Sequence, residues 1–291
     1  MSRVVERLCV AGVGLIGGSL ALAAKEAGLV GEVVGLGRTA ANLETARARG
    51  IVDRIATDPR DAAAGADAIC LAAPVGSCAA LAEALRPHAR PGAILTDVGS
   101  VKASLVAALE ARWTPGLVVG AHPIAGSEAS GAAAARADLF QGRPCILTPT
   151  PATDPAALAA MRALWTGVGA RVVEMPAATH DEILARVSHL PHLVAYALVA
   201  ACDAARVDGA PVLEWAGSGF RDTTRIAGSP GELWRDIALA NAPALGRALG
   251  EFRHALDRLE GLVAAADADG LGAVLEAARA VRRRLGTRER A

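Results

Sequence analysis

Aromatic residues are scarce in this 291-residue chain, with four Trp, three Phe and one Tyr. A surface that stacks unpaired nucleobases needs aromatics in series, so so few argue against nucleic-acid binding. Charge of one sign is also lacking. Thirty Lys and Arg balance thirty Asp and Glu, which leaves no net field to draw the chain to nucleic acid or an anionic membrane. Lysine itself is nearly absent; Lys25 and Lys102 stand alone, and Arg carries the remaining positive charge. The five cysteines, Cys9, Cys70, Cys78, Cys145 and Cys202, are odd in number, widely spaced and without a C-x-x-C pair. That pattern predicts buried thiols rather than disulfides or a zinc site. Although 53% of the residues are hydrophobic, much of that is Ala, and charge-free apolar runs fall short of the roughly 20 residues that span a bilayer. The nearest case, LPHLVAYALVAA at 190–201, contains His192 and reads as a buried core helix. The opening MSRVVERLCVAGVG runs from its apolar stretch into a glycine-rich turn rather than a cleavage site, so the expectation is a cytoplasmic protein with no membrane partner.

What is present alternates. Short apolar runs at Leu8–Ala11, Val33–Leu36, Ala68–Ala72, Ala93–Asp97, Leu117–Gly120, Cys145–Thr148 and Arg171–Glu174 read as strands, and Ala-rich helical segments separate most of them. This is the signature of βαβ units feeding a parallel sheet. Asp154-Pro155 marks a helix start, with a capping residue followed by proline in the first turn. Beyond Pro176 the strand signal stops and long helical patterns remain. The expectation is an α/β chain: a doubly wound parallel sheet of the Rossmann type in residues 1–176, followed by an all-α domain in 177–291.

Gly12-Val13-Gly14-Leu15-Ile16-Gly17 lies directly after the first strand and opens a helix, the context in which G-x-G-x-x-G binds a dinucleotide. Gly12 permits the tight turn, Gly14 lets a pyrophosphate approach the backbone, and Gly17 lets helix pack on strand. Leu15 and Ile16 supply amides at the helix N-terminus, where the aligned peptide dipoles favour phosphate. An Asp or Glu at the end of the second strand would hold the ribose hydroxyls of NAD. Here the chain reads Gly37-Arg38-Thr39, and Arg38 with Thr39 suits a 2′-phosphate, so NADP is the preferred cofactor and NAD the alternative.

Further candidates follow later strands. Ser100 and Lys102, in DVGSVK, are expected in the crevice at the carboxyl ends of the strands. His122 ends another strand, flanked by Pro and Gly, where it can act as a general acid or base. In the helical half, His180-Asp181 opens a helix continuing through His189 and His192. Those two histidines share a helix face, but no third ligand accompanies them, and no metal site is predicted. Arg225, following Asp222 in a polar run, is a natural carboxylate clamp.

Taken in order, GVGLIGGS (12–19), DVGSVK (97–102), AHPIAGSEASG (121–131), THDEI with VSHLPHLVAYALV (179–199) and GFRDTTRIAGSPGELWRDI (219–237) resemble the prephenate/arogenate dehydrogenase family of tyrosine biosynthesis, in its stand-alone form. The resemblance implies oxidative decarboxylation of prephenate or arogenate with NAD(P)+. It implies that His122 bonds the substrate's ring hydroxyl, that Ser100 orients His122, and that Arg225 and His192 bind substrate. Lys102, His180, Asp181 and Asp222 match recurrent polar positions, of which the resemblance points Lys102, His180 and Asp222 toward the substrate. It further implies that the helical domain forms a homodimer. A β-hydroxyacid dehydrogenase shares the domain order but uses a helical-domain lysine, and neither Lys25 nor Lys102 lies there. A non-catalytic NADP sensor would need neither His122 nor Arg225.

Overall fold

The computed structural model describes residues 3–126 and 129–288; Ser127 and Glu128 of the AHPIAGSEASG motif and the last three residues lie outside it. Eight strands, β1 (Val5–Ala11), β2 (Val30–Leu36), β3 (Arg54–Ala56), β4 (Ala68–Leu71), β5 (Ile94–Asp97), β6 (Val118–Pro123), β7 (Pro144–Thr148) and β8 (Arg171–Glu174), form one sheet in the order β3-β2-β1-β4-β5-β6-β7-β8. The helices packed with it are α1 (Leu15–Glu26), α2 (Ala40–Ala48), α3 (Pro59–Ala63), α4 (Val75–Leu85), α5 (Ala103–Glu110) and α6 (Pro155–Gly167). Alternating strand residues go to opposite cores, which is why the strands are apolar throughout. Leu8 and Val10 join α1 and α6 residues such as Leu20, Met161 and Trp165, while Cys9 and Ala11 join α4 and α5 residues such as Cys78, Leu85 and Leu105. Asp154 caps α6 as its sequence implies, accepting from the Ala156 and Ala157 amides at 2.8 and 3.1 Å.

Most of the sheet is parallel, with one correction. β7 runs antiparallel to β6, because the segment between them makes, among its described residues, only a short 3-10 turn at Ala132–Ala134 rather than a crossover helix, and the chain returns beside the strand it has left. β3 escaped the sequence pattern because three residues, Arg-Ile-Ala, are too few to show a period.

The helical half consists of α7 (Ala177–Leu184), α8 (Leu190–Ala204), α9 (Ser218–Thr224), α10 (Gly231–Ala240), α11 (Ala242–Ala264) and α12 (Ala268–Arg288). It is not purely α: β9 (Arg206–Val207) and β10 (Ala210–Pro211) make a two-residue-per-strand hairpin. Its turn, Asp208-Gly209, puts both residues at positive φ, 49° and 81°, the hairpin geometry that Asp-Gly favours. Between α7 and α8 the helix widens into a π turn at Ala185–His189, where the Leu190 amide donates to the Ala185 carbonyl. Pro191 lacks an amide and would clash with an α-helical fourth-preceding carbonyl, so a wider turn just before it relieves the ladder. α8 is not the buried core helix expected of 190–201. Only Ala195 is fully buried and the rest is partly or largely exposed, since the helix is apolar on every side and its neighbours reach only part of it. The run 177–204 is long and apolar enough to cross a membrane by length and composition alone, yet it carries His180, Asp181 and His189, all buried.

By packing, the chain divides into units of residues 1–242 and 243–291, whereas the end of the strand signal placed the boundary at 176/177. Helices α7 to α10 stay with the sheet for identifiable reasons. Asp181 accepts the Lys102 and Ala103 amides, and Val101 packs with Trp234 and Ile237 of α10. The second unit is a pair of long helices, α11 and α12, with Leu256, Val263, Leu275 and Val281 exposed.

Candidate active site

The glycine turn has the three properties its spacing required. Gly12 sits at φ +108°, and a Cβ there would lie 2.2 Å from the Ala72 carbonyl oxygen at the end of β4. A Cβ on Gly17 would lie 2.3 Å from the Gly12 carbonyl and 2.7 Å from the Ala72 methyl. Gly14 faces open space, with nothing within 4 Å of a built Cβ, and no side chain caps the α1 N-terminus. The turn therefore holds backbone close to backbone on one side and leaves helix amides open on the other, which fits a dinucleotide pyrophosphate. It lies where β1 and β4 diverge, the point at which strand order reverses and ligands bind in such sheets. Asn42 braces it, donating to the Val13 carbonyl at 2.7 Å and accepting the Ala132 amide at 2.8 Å. Sequence reasoning missed Asn42, because nothing local distinguishes it from any polar helix residue. At the end of β2, Arg38 and Thr39 are exposed, and Arg38 has no hydrogen bond or ion pair among the described residues. A side chain at Gly37 would meet first the end of Leu43, at 3.2 Å.

Across the crevice, His122 ends β6. Its Nδ1 is 2.8 Å from His180 Nε2, and His180 Nδ1 is 2.8 Å from Asp181 Oδ1. The Asp181 carboxylate is itself held by the Lys102 and Ala103 amides at the start of α5, both at 2.8 Å, where the helix dipole also favours a negative charge. The array thus runs from sheet to helix through three side chains. Burial, then the neighbouring Lys102 charge and His180, hold His122 well below the usual histidine range, so it is neutral at pH 7.

A second polar group lies behind the loop that follows β5. His189 accepts at Nδ1 from Asn241, at 3.1 Å, and Asn241 also donates to the Asp181 carbonyl at 2.9 Å. Burial pushes His189 down to about 4, against the opposing pull of Asp181. The Ser100 backbone also favours its protonated form, yet no acceptor meets hydrogen-bond geometry at Nε2. His192, one turn on, stacks on Trp234 with ring centroids 3.5 Å apart and donates from Nδ1 to the Ser188 carbonyl at 2.9 Å.

Comparison with known proteins gives this geometry a relationship. The nucleotide-binding domain of prephenate dehydrogenase matches residues 20–174, and the dimerization domain of prephenate dehydrogenase matches residues 176–277. The chain belongs to the prephenate dehydrogenase family. It is 36% identical over 269 residues to a cyclohexadienyl dehydrogenase of Zymomonas mobilis, covering 92% of each chain. The structure of A. aeolicus prephenate dehydrogenase, in complex with hydroxyphenyl propionate and NAD+, superimposes with a TM-score of 0.92 at 33% identity, covering 98% of this chain and 99% of that one. Synechocystis arogenate dehydrogenase aligns with a TM-score of 0.82 at 34% identity, covering 96% and 99%. The protein is accordingly a dehydrogenase of the prephenate type that works with a nicotinamide cofactor.

Within this prephenate-type dehydrogenase three sequence expectations need correction. His180, not Ser100, is bonded to the His122 ring; Ser100 is half-buried and its hydroxyl makes no hydrogen bond among the described residues. Lys102 does not line the crevice. It is fully buried, paired with Asp97 and donating to the Ala121 carbonyl at 2.8 Å, because α5 turns its stem under the sheet. His180 is likewise fully buried, behind His122, so neither side chain is exposed to the crevice. Arg225 begins a 3-10 turn, Arg225–Gly228, which the Tyr196 hydroxyl anchors to α8 by donating to the Ser229 carbonyl at 2.6 Å. Asp222 is exposed on α9.

Two outcomes follow from the site. Gly14→Ala should leave stability within about 1 kcal/mol while weakening nicotinamide dinucleotide binding, whereas Gly12→Ala should cost about 2–4 kcal/mol even without cofactor; denaturant melts and cofactor titration of both variants separate the two roles. The depressed histidines fix the sign of the acid response. The unfolded chain, with imidazoles near 6.5, binds protons that the folded chain refuses, so stability is lost as pH falls through that value. His189 alone accounts for a loss of about 3 kcal/mol by pH 4, and His189→Gln should flatten the pH dependence of the melting midpoint between 6.5 and 4.

Proposed function

We propose that the protein oxidatively decarboxylates prephenate or arogenate, with NADP+ preferred over NAD+, as a homodimer in the cytoplasm. One observation carries the chemistry: a neutral imidazole, His122, stands at a strand end on the crevice that the glycine turn opens. The substrate loses a hydride from the carbon bearing its ring hydroxyl and loses its ring carboxylate as carbon dioxide. Gly12, Gly14, Leu15, Ile16 and Gly17 would hold the pyrophosphate of a nicotinamide dinucleotide, which when bound would supply the hydride acceptor. His122 takes the hydroxyl proton as the carbon–oxygen double bond forms and returns it to the ring oxygen as the ring aromatises, so no net proton is released. A group that must accept and then give back a proton works best when neutral at rest. Arg225 supplies the charge-assisted anchor for a substrate carboxylate, and His192 a neutral contact beside it.

The cofactor preference rests on Gly37, Arg38 and Thr39. No carboxylate at that strand end repels a 2′-phosphate, and the exposed guanidinium of Arg38 is available to it. The dimer is supported by the match to a dimerization domain and by α8, which one chain leaves half-covered. Its cytoplasmic place is supported by the buried free thiols Cys9, Cys70, Cys78 and Cys145; burial pushes Cys9 and Cys78 up to about 12.

Reduced nicotinamide should appear, at 340 nm, when the protein meets NADP+ with prephenate or with arogenate; no turnover of either would overturn the reading. His122→Asn should lower kcat by about 10²–10⁴-fold with KM within severalfold. For the cofactor, the ratio of kcat/KM should favour NADP+ by about five- to thirtyfold, one charge-assisted bond at an exposed site. Replacing Gly37→Asp and Arg38→Ser together should reverse it, and the Leu43 side chain can yield to the added carboxylate. A wild-type preference for NAD+ would leave Arg38 a solvated side chain.

A further inference from the structure

We infer that His180 is a positioning residue that, anchored by Asp181, fixes the tautomer of His122 so that its Nε2 is the proton acceptor facing the crevice. The inference rests on the proposed role of His122 as the group that takes the hydroxyl proton, and it assigns to two buried residues a function that their burial would otherwise leave as packing.

The direction of every hydrogen bond in the array is forced from its far end. Asp181 is a carboxylate whose two oxygens already accept backbone amides, from Lys102 and Ala103, and a carboxylate only accepts. His180 must therefore donate from Nδ1 to Asp181 Oδ1, 2.8 Å away. A neutral imidazole carries one N–H, so His180 Nε2 is a bare acceptor. His122 then has to donate from Nδ1 across the 2.8 Å contact, and its own Nε2 is left with a lone pair. Two wrong outcomes are thereby excluded: a His122 ring presenting N–H to a hydroxyl whose proton it must take, and a ring free to rotate. His180 is fully buried and meets His122 edge to face, with centroids 5.0 Å apart, so His180 has no solvent with which to exchange its own proton.

The array also serves the charged state. When His122 Nε2 gains the hydroxyl proton, the ring becomes an imidazolium whose Nδ1–H still donates to His180 Nε2, and the Asp181 charge lies one imidazole further along. The bond from oxygen to hydrogen breaks, the bond from Nε2 to hydrogen forms, and no heavy-atom rearrangement is required in the array. The other charged and titratable groups near these rings are Lys102, from the β5–α5 loop and paired with Asp97 at the end of β5, and His189 from the π turn. Lys102 and Asp97 neutralise each other as a pair, and Asp181 is left as the unpaired negative charge of the array.

The test reads the tautomer directly. Nitrogen-15 NMR of histidine-labelled protein without substrate should show His122, identified by its loss in His122→Gln, protonated at Nδ1 and bare at Nε2. Asp181→Ala removes the acceptor of the His180 Nδ1–H, so the tautomer of His180 is no longer dictated and His122 should then share its proton between Nδ1 and Nε2. His122 protonated at Nε2 in the wild type, or still protonated at Nδ1 alone in Asp181→Ala, overturns the inference; this readout uses no substrate, so it is separable from failure of the proposed reaction. Kinetically, His180→Phe should lower kcat by about tenfold or more with KM for substrate and cofactor within threefold, and His180→Gln, which restores an acceptor, should recover part of it. A His180→Phe enzyme with wild-type kcat overturns the inference. Should His180→Phe fail to fold, the two NMR measurements decide alone.

Discussion

The buried ion pair between Lys102 and Asp97 is the constraint around which this molecule is assembled. The β5–β6 ladder ends at the pairing of Thr96 with Val119, and beyond it the strands part. Asp97 spans the gap, accepting the Gly99 amide at 2.7 Å and the Ala121 amide at 3.2 Å, while Lys102 donates to the Ala121 carbonyl. Both side chains are wholly shielded from water. Such a pair gives little net stability over an apolar replacement, but each partner alone would be a buried, uncompensated charge costing about 3–5 kcal/mol. What it provides is registry. The residue after Ala121 is His122, so the pair sets where the imidazole stands, and the backbone amide of the same Lys102 receives Asp181.

Electrostatics in the crevice follow from that frame. Because Lys102 is already matched by Asp97, its charge does not demand an anion from the site, yet it still discourages a second positive charge on His122. Burial is the larger cause, and His122 and His189 stay neutral. A chemistry that borrows a proton and gives it back is served by such a base, whereas one that had to hold the proton would need a carboxylate beside the ring. Asp181 is placed one ring away, close enough to orient and to steady the transient charge, and far enough not to fix it. The π turn that Pro191 induces brings His189 and Asn241 in behind this arrangement, and Asn241 in turn holds the Asp181 carbonyl.

Much of this was legible in the chain. Period and length gave the strands and crossover helices, since a strand buried on both faces is apolar without interruption and a short loop of Gly, Asp or Pro marks its ends. The glycine turn was legible because backbone crowding there admits no Cβ, a demand that composition alone can express. His122 was legible because a lone histidine at a strand end between Pro and Gly has no structural reason to be there. β3 and the direction of β7 were not legible: three residues carry no period, and direction is set by whether the connection folds as a helix or runs back as a loop. The half-covered state of α8 was equally hidden, because apolar residues on all sides describe a buried helix and an interfacial one alike.

Roles within the site divide along the same line. By itself the sequence determined which residue types were available: a glycine turn without an acid at the next strand end, a single histidine on β6, and a rare lysine among arginines. Only the tertiary structure decided that Lys102 looks inward to Asp97 rather than outward to substrate, that His180 rather than Ser100 meets His122, and that residues 177–242 pack with the sheet. The physical reason is that His122 meets His180 across 58 positions of chain and Lys102 meets Asp181 across 79, while the Lys102–Asp97 pair, only five positions apart, closes where a strand end turns into a helix. Side-chain chemistry states what each group is able to donate or accept, but which partner it finds is set by the packing of β6, α5 and α7 around one another.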